Sequence, residues 1–97
     1  MAIQIDLASS IHGTAFNAAY FRIVMAGINR ELGDSFAVTI DCSGFATATP
    51  TDETHPIDFR RYRVALATIE ATAGDDFLSK CYTWVMAQAD MDGSTAV

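Results

Sequence analysis

The chain has 97 residues, 51% of them apolar, and a net charge of −6. This length predicts a single domain over residues 1–97, with the last few residues as a flexible tail or contact arm. The acidic balance argues against duplex nucleic acid as a partner, and the sequence lacks the run of about 18 apolar residues that a membrane span needs. Only 19% of the residues are charged, against about a quarter in typical domains, which indicates that a partner covers part of the surface.

Alternating apolar and polar residues predict three strands in the first half of the chain. Residues 3–7 alternate with period two, and residues 35–43 hold the alternation over four consecutive pairs. Residues 18–27 are rich in β-branched and aromatic side chains and end in glycine, which favours a strand, although alanine and methionine also favour a helix.

The same alternation predicts which side chains face the core, because a register shift of one residue would expose every large apolar group. On the second strand Phe21, Ile23 and Met25 are predicted to share one face, with Phe21 and Ile23 in the core. On the third strand the predicted inward face consists of Phe36, Val38, Ile40 and Cys42. We expect Phe36→Asp to prevent folding, since it would bury an unpaired charge.

Residues 44–56 predict an extended loop with a short edge strand at residues 45–49. Loops of this length are often binding elements, and a mobile hairpin tip is the alternative. An exposed sheet edge along residues 3–7 or 45–49 could add to a neighbour's sheet.

Residues 57–68 predict a fourth strand whose alternation breaks near Arg60 and Arg61. A β-bulge would restore the alternation, and the alternative is a strand with two inward faces. Arg60, Arg61 and Arg63, together with Phe45, form the candidate interface. A solvated strand face also explains this arginine cluster, since Asp58 and the nearby Asp52 and Glu53 oppose its charge.

A helix is predicted from Asp75, as its N-cap, to about Asp90. Its apolar stripe predicts four core side chains, namely Phe77, Cys81, Trp84 and Val85. The predicted fold is therefore α+β, with a small antiparallel sheet or sandwich of four to six strands closed by one C-terminal amphipathic helix. Cys42 and Cys81 fall on a strand and a helix, where we expect free buried thiols.

No residue pattern in the sequence predicts catalysis, a metal site or a cofactor. His12 and His55 have no partner at ligand spacing, and capping explains the Asp75–Asp76 pair. Ser9 and Ser10 near His12 lack the framing glycines of a nucleophile elbow. A small enzyme or ligand carrier would need a polar cluster near Trp84 and Tyr62, which the sequence does not reveal. We therefore expect no enzyme activity, no cofactor and no small-molecule substrate.

Three short motifs carry a resemblance. They are Ala-Tyr-Phe-Arg-Ile at residues 19–23, Phe-x-Val-x-Ile at residues 36–40, and Asp-Phe-Leu-x-Lys-Cys-Tyr-x-Trp-Val at residues 76–85. Their layout resembles small uncharacterised structural proteins of tailed bacteriophages and prophages. The chain departs from that pattern at Asp76, where the family has asparagine, and in the loop of residues 45–56. No catalytic residues come with such a family.

The resemblance implies a non-enzymatic structural subunit of a bacteriophage virion, associated with the tail or baseplate. Its partners would be other virion proteins and copies of itself, with no nucleic acid, membrane or small molecule, and it would assemble in the host cytoplasm. A capsid decoration or cement protein and a stand-alone adaptor that binds a host protein are the alternatives.

Overall fold

The alternating strand patterns of the sequence form one antiparallel sheet. The structure, a computed structural model, describes residues 2–7, 16–31, 33–46 and 54–97, and for residues 16–18 only the backbone. The described elements are β1 (Ile3–Leu7), β2 (Phe16–Arg30), β3 (Phe36–Phe45), β4 (Asp58–Ala65), α1 (Leu66–Glu70), α2 (Phe77–Met86), a 3-10 turn (Ala89–Met91) and β5 (Thr95–Ala96). The sheet order is β4-β3-β2-β1-β5, so the fold is α+β.

The first four strands form a meander, and the chain returns after the helices to add β5 beside β1. Ala2 and Val97 exchange two backbone hydrogen bonds of 3.1 and 3.0 Å. The last residues, predicted as a flexible tail or contact arm, thus pair with the start of β1, and Gly93, at φ 83°, lies in the turn that precedes β5. Among the described residues the edge strands are β4 and β5. Strand β5 pairs only with Ile3 and Gln4, so the predicted edge at residues 3–7 is covered over part of its length. Phe45 ends the interior strand β3, and residues 47–49 of the other predicted edge lie outside the described residues.

A β-bulge lies in β2 between Ile23 and Met25. Ile23 pairs with Cys42 on the core face, whereas Met25 pairs with Asp41 on the opposite face. Met25 was predicted to share a face with Phe21 and Ile23, but the extra residue at the bulge places it on the opposite face, where it is 45% exposed.

The strand predicted to contain a bulge, β4, has an unbroken register from Asp58 to Ala65. Asp58 and Arg60 occupy inward positions of this strand. The alternation of inward and outward side chains therefore continues through these polar residues, without an extra residue in the strand. The chain becomes helical at Leu66, two residues earlier than the end of the predicted strand.

The core lies between the sheet and a helical layer made of α1, α2 and the 3-10 turn. The single closing helix of the prediction is replaced by these three segments, since Ile69 and Met91 are fully buried along with Cys81 and Val85 of α2. Of the residues predicted in the core, those that are buried are Phe21, Val38, Ile40, Cys42, Cys81 and Val85. Those that are partly buried against them are Ile23, Phe77 and Trp84.

The helix α2 begins one residue later than predicted. Asp76, rather than Asp75, is the N-cap, and its Oδ1 accepts a 2.7 Å hydrogen bond from the Ser79 backbone N–H. This bond lowers the pKa of Asp76. The helix ends at Met86, and among the described residues neither helix is long and apolar enough to cross a membrane.

Two contacts fix α2 and β3 against β2. The Tyr82 hydroxyl accepts a 2.9 Å hydrogen bond from the Ile23 N–H, beside the bulge. Gly44 lies across from Phe21, and a Cβ added there would come within 2.6 Å of the Phe21 ring. The ring therefore occupies the space that any other residue at position 44 would fill.

Candidate protein–protein interface

The β2–β3 hairpin extends beyond the helical layer. The two strands stay paired out to Arg30 and Phe36, where the Glu31 N–H donates to the Ser35 carbonyl at 2.9 Å and Gly33 has φ 95°. The molecule measures 42 × 24 × 24 Å. We call the described residues 28–31 and 33–38, with the start of α1, the hairpin end.

The core face of the sheet continues onto the hairpin end but loses its cover there. Val38 is fully buried, while Ile28, its partner in β2, is 52% exposed. Phe36, two residues further along the same face, is 37% exposed. The prediction that Phe36 lies in the core is therefore wrong: its alternation is correct, but α1, which lies beside it, leaves the ring 37% exposed.

An apolar groove runs beside Phe36. It has a volume of about 260 Å³ and is lined by Ser35, Phe36, Ala65, Leu66, Ala67 and Glu70. The Arg30 guanidinium lies over the Phe36 ring, 4.9 Å from its centroid. A shallower depression of about 560 Å³, lined by Arg30, Glu31, Ser35 and Arg63, adjoins the groove at Ser35. The groove has the size and character to accept an apolar side chain.

Charged residues of both signs lie near the groove: Glu70 lines it, and Arg30, Glu31 and Arg63 line the adjoining depression. Arg30 lies 3.9 Å from Asp34, and Arg63 lies 3.4 Å from Glu31. These side chains are 42% exposed or more, so each pair adds little to stability. An apolar centre with a polar rim is the usual anatomy of a protein–protein interface.

The sheet face opposite the helices, which we call the outer face, carries a second set of exposed side chains. Met25, Asp41 and Arg61 form one row across β2, β3 and β4. Asp41 accepts two hydrogen bonds from Arg61, at 2.7 and 3.1 Å, which lower the pKa of this buried carboxyl group. Phe59 is 48% exposed on this face.

Of the four residues predicted as an interface, two lie where a partner could reach them. The side chains of Arg61 and Arg63 are 64% and 59% exposed. Phe45 is only 6% exposed, with the Arg22 guanidinium 5.5 Å from its ring centroid, so it is a packing residue.

The fourth predicted interface residue, Arg60, points toward the helical layer instead. Its side chain is 19% exposed and lies over the Phe21 ring at 5.1 Å. Its guanidinium donates a 2.6 Å hydrogen bond to the Asp90 carbonyl. It also forms ion pairs with the Asp58 and Asp90 carboxylates, both at 3.4 Å. Arg60 therefore joins β4 to the 3-10 turn.

The polar cluster that the sequence failed to reveal lies beside Tyr62 and Trp84. Their rings meet edge to face at 5.9 Å, and the Tyr62 hydroxyl donates to Asp90 at 2.9 Å. Burial, followed by the Asp90 contact, raises the pKa of Tyr62. The partners of Asp90 are 28 and 30 residues away in sequence, so no local motif could have found them. Arg60 and Tyr62 of β4 both contact Asp90, so this polar cluster holds the 3-10 turn against the sheet.

The two cysteines are free and buried. Burial, with the nearby Asp41 charge, raises the pKa of Cys42 to about 12, so its thiol stays neutral at physiological pH. In the described part of the chain no three His, Cys, Asp or Glu residues form a group that could hold a metal. His55 is exposed, whereas Ser9, Ser10 and His12 lie outside the described residues, as does most of the predicted loop.

Comparisons with protein-family models, with curated proteins and with solved structures find no match for this chain.

Proposed function

We propose that this chain is a non-enzymatic structural subunit of a tailed-bacteriophage virion, associated with the tail or baseplate. It works by assembling with other virion proteins, which cover the hairpin end. The proposal rests on the sequence resemblance and on one observation. Among the described residues, the core face of the sheet continues onto the hairpin end, where Ile28 and Phe36 are exposed.

An uncovered continuation of a core face supports assembly for an energetic reason. Burying apolar surface stabilises by roughly 25 cal/mol per Å², so covering a side chain such as Ile28 favours a complex. The described residues next to the two long gaps, Leu7, Phe16 and Phe45, lie at the other end of the sheet. The exposed apolar side chains Ile28 and Phe36 therefore lie on described residues of β2 and β3, away from those two gaps.

The polar rim suits a specific contact. Glu70 lines the groove, and Arg30, Glu31 and Arg63 line the depression that adjoins it at Ser35. Mixed charges at a rim select a partner with the opposite arrangement and reject others. A subunit present in many copies needs only moderate contacts of this kind, because they act together.

Mass spectrometry of purified particles tests the virion role. Tailed particles from the phage or lysogen that encodes the chain should contain it in stoichiometric amounts. Its absence from the particles would reject the virion role. A chain that is instead monomeric at micromolar concentration and captures a single host protein would favour the adaptor alternative. Its location on the head rather than the tail would favour the decoration alternative.

Incorporation of variants tests the hairpin end. Ile28→Asp should fold as the wild type does but enter particles at least tenfold less, because a charge replaces the apolar contact. Val97→Asp is the matched control, since Val97 is 54% exposed but lies beside Ala2, away from the hairpin end. Equal incorporation of Ile28→Asp and wild type would show that another surface makes the contact.

A further inference from the structure

The last strand of the sheet is attached to the rest of the molecule mainly by its backbone. Strand β5 is two residues long and pairs with Ile3 and Gln4 of β1. Two further backbone hydrogen bonds, of 3.1 and 3.0 Å, join Ala2 and Val97. None of residues 92–97, which we call the arm, is buried, whereas Ala2 and Ile3 beside it are. Apolar packing therefore adds little to hold the arm in place.

The residues just before the arm are, in contrast, firmly held. Met91 is fully buried in the core, and Asp90 accepts hydrogen bonds from Arg60 and Tyr62 of β4. Gly93 follows at φ 83°, a left-handed conformation that glycine adopts readily and a β-branched residue avoids. The arm therefore begins at a fixed point, and the backbone at Gly93 sets the direction in which it leaves.

Opening of the arm would expose an edge of the sheet. Segments with few buried apolar contacts open locally at a free energy far below that of global unfolding. Release of the arm leaves backbone groups of β1 without partners, and an exposed edge of this kind accepts another strand. The structure shows which strand fits the edge, since Thr95–Ala96 already pairs with it. The arm of a second copy brings the same hydrogen bonds in the same register.

We propose that the arm of one copy pairs with β1 of a second copy, in the register that it forms with its own β1. The exchange repeats a contact that each copy already makes, so it is a low-cost route to association. The tethered arm competes at an effective concentration of roughly millimolar, so the exchange is populated where copies are held together at that density. The inference rests on the proposed assembly function and names a second copy as one of its partners. Because backbone groups make the contact, substitutions of the exposed side chains Ala96 and Val97 leave it intact.

A valine in the turn before β5 tests the exchange through the oligomeric state. Gly93→Val strains the closed turn at φ 83°, and an arm that extends to a second copy relieves the strain. In sedimentation equilibrium up to about 1 mM, this variant should form dimers at concentrations about fivefold or more below those that wild type needs. Gly33→Val is the matched control, because it introduces the same strain at φ 95° in the hairpin turn and should leave association unchanged.

A disulfide between β1 and β5 locks the arm onto its own copy. Gln4 and Thr95 are directly opposite each other, and such residues have Cα atoms about 4.5–5.5 Å apart, a distance that a disulfide spans. Gln4→Cys with Thr95→Cys, closed within one chain by oxidised glutathione at micromolar concentration, should keep Gly93→Val monomeric. Dimers that persist with this bond closed would overturn the exchange, since another surface would then form them. A Gly93→Val chain that folds but associates no more than wild type would overturn it as well.

Trapping between two chains keeps the wild-type turn, so it tests the exchange even if Gly93→Val does not fold. One chain carries Gln4→Cys and the other, isotope-labelled, carries Thr95→Cys. Oxidation of the mixture at about 1 mM should link positions 4 and 95 with a yield about tenfold or more above that of a control mixture. The control pairs Gln4→Cys with Leu78→Cys, since Leu78 is 44% exposed on α2, away from β5.

Mass spectrometry of the linked chains gives the yields. Equal yields from the two mixtures would mean random collision and would overturn the exchange. Failure of the exchange would leave the virion role untouched, because the presence of the chain in purified particles is measured separately.

Discussion

Ile40 and Ile28 lie on the same face of neighbouring strands, yet one is fully buried and the other is 52% exposed. The difference comes from the helical layer, which covers Ile40 and ends before Ile28. Strand pattern alone therefore assigns a residue to a face but does not decide its burial. At the base of the sheet the face forms the core, and at the hairpin end it is a surface that a partner can use.

Alanine substitutions at these two isoleucines should give the largest contrast. Ile40→Ala removes fully buried methyl groups and should lower the free energy of unfolding by about 2–5 kcal/mol. Ile28→Ala should change it by less than about 0.5 kcal/mol, as exposed substitutions do. Urea unfolding of both variants measures this, and equal losses would mean that the hairpin end belongs to the core.

Two glycines differ in the same way in the space that surrounds them. Gly44→Ala places a Cβ 2.6 Å from the Phe21 ring and should cost about 1–3 kcal/mol of stability through overpacking. Gly27→Ala meets nothing within 4 Å at an ordinary φ, so it should be neutral or stabilise by up to about 1 kcal/mol. Thermal unfolding of the pair separates the two cases. A stabilised Gly44→Ala would contradict the close approach of Phe21.

Removal of the Tyr82 hydroxyl tests how α2 is attached to the bulge. Tyr82→Phe leaves the Ile23 N–H without its 2.9 Å partner and should cost about 1–2 kcal/mol. Tyr62→Phe is the control, because its hydroxyl donates to Asp90, which is half exposed, and should cost about 0.5 kcal/mol. Chemical denaturation compares the two. The same small loss for both would show that water replaces the Tyr82 hydroxyl freely.

The smallest expected effect is on the stability of the fold at acidic pH. The Arg61 hydrogen bonds lower the pKa of Asp41 below 3.8, so the folded state favours the carboxylate. This stabilisation is complete above pH 3.8 and is lost as the pH falls through the lowered pKa. Asp41→Asn should therefore lose less stability than wild type between pH 4 and pH 2.

Asp34→Asn is the control for the acid experiment. Asp34 forms an exposed 3.9 Å contact with Arg30 at the hairpin end, a contact that adds little to stability, so Asp34→Asn should unfold at nearly the same denaturant midpoints as wild type. Denaturant midpoints across the pH range supply the measurement. A wild-type midpoint that is independent of pH would remove the role given to the Asp41–Arg61 pair.

The strands and their faces could be predicted from the sequence because period-two alternation is a local signal. The positions of Val38, Ile40 and Cys42 follow from it directly. The bulge beside Ile23 could not be predicted, since the extra residue is Val24 and leaves the apolar run intact. The exposure of Phe36 depends on how the helices pack on the sheet, which the local sequence pattern does not specify.

The candidate interface was predicted only in part for the same physical reason. Arg61 and Arg63 lie at alternate positions of β4 and are exposed, whereas Arg60, between Phe59 and Arg61, turns inward to Asp58 and Asp90. A run of arginines in the sequence predicts a basic strand, but it does not predict which arginine forms an ion pair with a distant acidic residue. That partner, Asp90, arrives from a 3-10 turn 30 residues later.

Thiol labelling at position 28 tests the central claim most directly. In Ile28→Cys the new thiol should react rapidly in the isolated chain, while Cys42 and Cys81 stay unreactive because they are buried. In assembled particles its labelling should slow at least tenfold, whereas Ala96→Cys, on the exposed strand β5, should react at the same rate in both states. Equal labelling of position 28 in the free and assembled chain would contradict the claim that a partner covers the hairpin end.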